Sequence, residues 1–171
     1  EDPGDGSKVL DPGSVSTGTD YAQLSTNAAG GAVVNLHSNT AGCGGLVRVG
    51  ATNCDITAQT TAPPTGDISA GQAKFGLKLG PATDPTVGTG DISGALALSG
   101  SYSSTKYFLD YDVSNTDAAG VTSPYGSALF NSGAAPVSNK NMPFTFGVSA
   151  ANATPAGIYS ATINLIATGT F

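Results

Sequence analysis

From Phe144 to Val148, and again from Tyr159 to Ala167, an apolar or small residue stands at every second position. Nothing else in the chain restricts its fold as strongly. Successive side chains of a β-strand leave opposite faces of the sheet, so a period of two marks a strand with one face buried. Phe144, Phe146 and Val148 share one face of the first segment; Tyr159, Ala161, Ile163, Leu165 and Ala167 share one face of the second. The residues between them, 150–157, punctuate: Pro155 fixes φ and Gly157 accepts unusual φ. The pair reads as a hairpin-like unit that closes a sheet, with a long apolar strand at the end.

The same period recurs upstream. Tyr21 to Thr26 reads as a strand, Asn27 to Gly31 as a turn, and Ala32 to Ser38 as a second strand with Val34 and Leu36 on one face and His37 on the other. Leu46 to Val49, Cys54 to Thr57 and Leu96 to Leu98 are short strands. Phe75, Leu77 and Leu79 alternate inward against Lys74 and Lys78. Lys106 to Val113 is the strongest interior strand, with Tyr107, Leu109, Tyr111 and Val113 opposed to Phe108, Asp110 and Asp112. Residues 121–137 show no assignable period. No segment has the helical period, and turn signals fall roughly every ten residues, so the fold class is all-β. The expected architecture is an antiparallel β-sandwich, Ig-like or jelly-roll-like, with two sheets and about eight to ten strands. Residues 14–171 would form this single domain, and residues 1–13 an extended N-terminal segment, a candidate exchanged strand.

Charge narrows the function. Twelve acidic residues face six basic ones, and charged residues make up 11% of the chain. Nucleic acid requires clustered Lys and Arg and is excluded as an expected partner. No apolar run of about 18 residues is present, so no membrane-spanning helix is expected. Abundant Gly, Ser, Thr and Asn with little charge suit a surface outside the cell, and the chain begins at Glu1 rather than Met, as it would after a leader is removed. In an exported protein, Cys43 and Cys54, eleven positions apart, are expected to form one local disulfide. Zinc would need more ligands than these and His37 supply.

No catalytic pattern emerges, and an enzyme is not expected. A nucleophilic triad would have to use His37, and no serine stands in a nucleophile elbow. The only glutamate is Glu1, in the N-terminal tail, so a carboxylate pair for glycoside hydrolysis would have to be drawn from the aspartates. Asp110, Asp112, Asn115 and Asp117 bunch near a strand end and are a weak Ca²⁺ candidate, but the spacing lacks the Gly and closing Glu of a calcium loop. Solvated side chains are the preferred reading, and no metal or other cofactor is expected. Lys8, Lys74, Lys78 or Lys106 with Asn164 would be the partners of an intramolecular isopeptide bond, against the simpler reading of surface lysines. Asn152-Ala153-Thr154 fits a glycosylation sequon but reads better as a turn.

Two stretches carry a resemblance. Leu10-Asp-Pro-Gly leading to Ser25-Thr-Asn-Ala-Ala-Gly-Gly31, and the ending Thr154-Pro-Ala-Gly-Ile-Tyr-Ser-Ala-Thr-Ile-Asn-Leu-Ile-Ala167, are similar to exported bacterial surface β-sandwich proteins, including the WxL-type domains of Gram-positive bacteria. The WxL motif itself is missing: Leu165 stands where its tryptophan would fall and Ala167 where its leucine would. Such domains open with an apolar strand, which the polar stretch from Glu1 to Lys8 does not provide. The resemblance therefore implies a sheet lacking a strand, and such an edge templates a strand from another molecule. Pilus and fimbrial subunits polymerise this way. The expectation is an extracellular structural protein, a filament or coat subunit joined to copies of itself by strand complementation. Val9, Leu10, Tyr159, Ile163 and Leu165 would be its interface residues. The alternative is a monomeric surface module that binds glycan or cell wall through Tyr102, Tyr107 and Tyr125.

Overall fold

The structure, a computed structural model, describes residues 9–38, 40, 43–80, 96–110 and 126–171. Ten strands lie in these residues: β1 (Ser16–Thr26), β2 (Ala32–Ser38), β3 (Leu46–Arg48), β4 (Cys54–Ala58), β5 (Lys74–Leu79), β6 (Ala97–Leu98), β7 (Ser127–Asn131), β8 (Val137–Ser149), β9 (Tyr159–Ser160) and β10 (Ile163–Gly169). No helix occurs among them. They form a six-stranded sheet ordered β1-β8-β5-β4-β3-β9 and a four-stranded sheet ordered β10-β2-β7-β6. Pairing is antiparallel except between β4 and β5, which run parallel through Thr57↔Lys74 and Ala58↔Phe75. The loop from Gln59 to Ala73 that returns the chain for this parallel pairing contains the cis Pro63-Pro64 bond.

The two sheets meet through one hydrophobic cluster. Leu24, Phe75, Leu77, Leu79, Met142 and Phe144 come from the larger sheet, and Val34, Leu36, Leu129 and Phe130 from the smaller. Phe130 of β7 and Phe144 of β8 meet across the interface with ring centroids 6.2 Å apart. Alternation places these residues: Phe75, Leu77 and Leu79 are buried as their period predicts, and Val34 and Leu36 are buried while His37 is turned away. The outer face of the larger sheet is also covered. The Tyr107 ring lies against Gly147, where a Cβ would come within 2.4 Å of its Cε1 atom, and Lys78 Nζ sits 4.9 Å from the ring centroid. Asp67 clips this cover in place. Its Oδ1 accepts from the Tyr107 and Ile68 amides at 3.0 and 2.9 Å, and Oδ2 lies 3.2 Å from Lys106 Nζ. Burial alone would raise the Asp67 pKa; the two amide donors and Lys106 outweigh it and hold the carboxyl below its ordinary value.

Three strand readings need correction. First, the closing segment is not one long strand. Tyr159 and Ser160 pair with Arg48 and Val47 in the larger sheet, the chain steps across at Ala161 and Thr162, and Ile163 to Gly169 pair with β2 in the smaller sheet. The alternation runs unbroken through this step because both halves turn the same set of residues inward, so period alone cannot show a change of sheet. Second, the strand holding Phe144 begins at Val137 and contains Pro143. A proline inside a central strand costs a ladder bond unless its missing N–H faces a gap. Here β5 has ended at Leu79, and Gly80 N donates to Pro143 O at 3.3 Å, so the absent donor falls at the end of that ladder. Third, Lys106 to Asp110 make only an isolated bridge, Leu77↔Phe108. Tyr107, Phe108 and Leu109 are all buried: Phe108 exchanges backbone hydrogen bonds with Leu77 beside β5, Phe108 and Leu109 join the core cluster, and Tyr107 covers Gly147 on the outer face. Residues 111–113 of that expected strand lie outside the described residues.

Candidate functional site: an open sheet edge

β10 ends the smaller sheet. Seven residues pair with β2, from Ile163↔Ser38 through Leu165↔Leu36 to Gly169↔Ala32, and among the described residues no strand lies on the other side. Three hydrogen bonds set which of its backbone groups point outward. Thr170 N donates to Gly31 O at 2.9 Å, Thr162 O accepts from Ser38 Oγ at 3.4 Å, and on the far side of β2 Ser132 N donates to Ala32 O at 2.9 Å. Residues of an antiparallel pair alternate between facing the partner and facing away. Asn164, Ile166 and Thr168 therefore bond to β2, and Ile163, Leu165 and Ala167 present N–H and C=O groups at the open edge.

The same three residues lie on the inner face. Directly paired residues share a side of the sheet, and Leu36 is 0% exposed in the core while its partner Leu165 is 45% exposed. Ile163 packs against the core cluster, and Leu165 and Ala167 continue its apolar row to a rim that the larger sheet does not cover. β10 holds no charged residue, proline or bulge, the devices by which sheet edges usually block pairing. It is a strand-sized site whose backbone and inner face ask for one more extended, alternating segment.

The other long edge, β1, differs. Among the described residues it pairs only with β8, and the amide of Tyr21 is satisfied by its neighbour, Asp20 Oδ1, at 2.8 Å. Tyr21 pairs with Pro143, whose carbonyl already accepts from Gly80 on the far side, so that amide faces out from the sheet. A carboxylate thus occupies the middle of the β1 edge. Sequence reading placed only Tyr21 to Thr26 in this strand and missed the cap; Asp20 preceding an aromatic strand residue was its sole signal. The remaining terminal strands, β6 and β9, have two residues each.

The other expected interface residues separate. Leu10 packs against the core of its own molecule, next to the turn in which Ser14 N donates to Asp11 O and Gly13 N to Asp11 Oδ1, while Val9 is 88% exposed. Tyr159 forms a corner rather than an edge contact. Its hydroxyl donates to Pro155 O and lies 3.5 Å from Asp55 Oδ2, which Arg48 Nε approaches at 3.2 Å. Desolvation, then the Asp55 charge, push the Tyr159 pKa up, with Arg48 opposing. Gly157 lies so close to the Arg48 side chain that a Cβ would come within 2.5 Å of its Cδ. The Pro-Ala-Gly-Ile-Tyr run is therefore a corner that directs β9 onto β3, and β10 follows from it.

Cys43 and Cys54 are joined in a disulfide, bracketing β3. Tyr102 and Tyr107, expected as surface grips for a glycan, are 7% and 8% exposed and belong to the interior; Tyr125 lies outside the described residues. Asp112, Asn115 and Asp117 of the calcium reading lie outside them too, and among the described residues no cluster of metal-ligating side chains forms. Lys74 contacts Thr57 Oγ1, Lys78 the Tyr107 ring and Lys106 Asp67, none of them Asn164, and Lys8 is outside the described residues. Asn152 sits in a turn closed by Ala151 N on Thr154 Oγ1 at 2.9 Å. Among the described residues no helix is long and apolar enough to cross a membrane. Comparison with known proteins returned no matching family model, no matching curated protein and no matching solved structure.

Proposed function

We propose that this is an extracellular structural protein, a subunit of a surface filament, pilus-like fibre or coat, whose copies join by adding a strand at the β10 edge. The two sheets are read here as an open sandwich that leaves one inner rim uncovered. The observation that carries the reading is that rim: a seven-residue, uncharged edge with Leu165 exposed on the core side. Strand addition supplies affinity through main-chain hydrogen bonds and specificity through alternate side chains, and this edge offers both. The local disulfide and the low charge support an oxidising, extracellular setting. The burial of Tyr102 and Tyr107 takes away the main support for a monomeric glycan- or wall-binding module.

Size-exclusion chromatography with light scattering, followed by negative-stain imaging, tests the reading. Association that depends on concentration and is abolished by Ala167→Pro is expected. The Ala167 N–H points away from β2, so the proline removes an edge donor and leaves the internal ladder intact. A monomer at every concentration, or association indifferent to the proline, would defeat the proposal.

A further inference from the structure

Strand addition at β10 leaves open which strand is added, and the edges of the molecule differ enough to choose. Resting on the reading above, we infer that the added strand is β10 of a second copy, paired antiparallel about a two-fold axis near Leu165. Among the described residues the other segments fit poorly. At β1 the Asp20 carboxylate already holds the outward Tyr21 amide at 2.8 Å, and its negative charge would be buried by any incoming strand. β6 and β9 are two residues long and offer too few hydrogen bonds. The N-terminal segment has Val9 and Leu10 as its apolar pair, and Leu10 is already engaged with the core of its own molecule.

β10 meets the requirements of self-pairing. In a two-fold contact every residue near the axis faces its own copy or a close neighbour of it, so any charge there meets a like charge. The chain carries a net charge of −6, yet β10 and its partner β2 contain no Asp, Glu, Lys or Arg. The outward backbone groups belong to Ile163, Leu165 and Ala167, and the ladder that pairs Leu165 with Leu165 also pairs Ile163 with Ala167, joining outward groups to outward groups. These residues are the inner-face row, so the exposed Leu165 side chains would cover one another. The two four-stranded sheets would become one continuous sheet of eight strands. This contact closes on itself, so in a filament or coat the pair would be the repeating unit and a second contact away from β10 would join the pairs.

Charge exchange at one position tests both the edge and its partner. Leu165→Lys and Leu165→Glu place a charge on a side chain that is already 45% exposed, and circular dichroism with thermal melts verifies that each variant folds. Each alone is expected to weaken self-association at least about tenfold, and an equimolar mixture to regain a mixed dimer with the wild-type mass. Ala167→Pro, which keeps the Leu165 side chain, is expected to weaken association by a similar factor. If both charge variants and the proline lose association and mixing fails to restore it, strand addition at β10 survives but the two-fold partner is wrong. If the wild type is monomeric, or if association persists through all three variants, the edge itself is wrong and the proposed function falls with it.

Discussion

At the scale of single residues, close approach and carboxylate placement decide which positions tolerate change. Gly31, at φ 76°, sits where a Cβ would come within 1.8 Å of the Gly133 carbonyl oxygen, between β2 and β7. Gly31→Ala meets both a left-handed backbone and a backbone wall, and a loss of at least about 2 kcal/mol is expected in denaturant melts. Gly147→Ala meets a side chain instead: the Tyr107 ring must move, at a cost of about 1–3 kcal/mol. Asp67 sets an acid limit. Because its folded pKa lies below the unfolded value, its contribution is complete above the ordinary aspartate range and is lost as pH falls through the lowered folded value. Melting temperatures measured from pH 6 down to pH 2 should show a steeper acid loss in the wild type than in Asp67→Asn. Equal slopes would mean that the clip over the outer face does not contribute to stability.

At the scale of elements, the sequence was readable wherever one face is buried and the other is not. Phe75-Leu77-Leu79 and Val34-Leu36 announce their strands because the apolar residues face the core and polar or small ones alternate with them on the other side. Tyr107-Phe108-Leu109 misled for the opposite reason: all three are buried, since the segment lies beside β5 with Tyr107 covering the outer face and Phe108 and Leu109 in the core, and period carries no information where both faces are covered. The step between β9 and β10 was hidden because an unbroken alternation is what one long strand would also show. Local pairing was legible in the cysteines. Cys43 and Cys54 close a short loop around β3, and a Cys43→Ser, Cys54→Ser double variant is expected to lose about 2–3 kcal/mol in guanidinium unfolding. The candidate site was half legible: Ile163 and Leu165 were picked out by their period, but the cap at Asp20 and the engagement of Leu10 are tertiary facts. Without them the N-terminal segment and β10 look equally fit to be exchanged.

At the scale of the whole molecule, charge and edge pull in opposite directions, and their balance should govern assembly. A net charge of −6 makes approaching copies repel, while the β10 edge contributes no charge of its own to the contact. Salt screens exposed charges over about 8 Å at physiological ionic strength and about 30 Å at 0.01 M. An interface held by ion pairs would weaken as salt rises. One held by main-chain hydrogen bonds and the Leu165 row should strengthen, because only the repulsion is being screened. Sedimentation velocity from 0.01 to 0.5 M NaCl at pH 7 is therefore expected to show the associated fraction rising with salt in the wild type. The Leu165→Lys and Leu165→Glu mixture should respond in the reverse sense, since its contact rests on opposite charges. If salt dissolves the wild-type assembly, charged surfaces rather than the neutral edge hold the copies together, and the interface has to be sought away from β10.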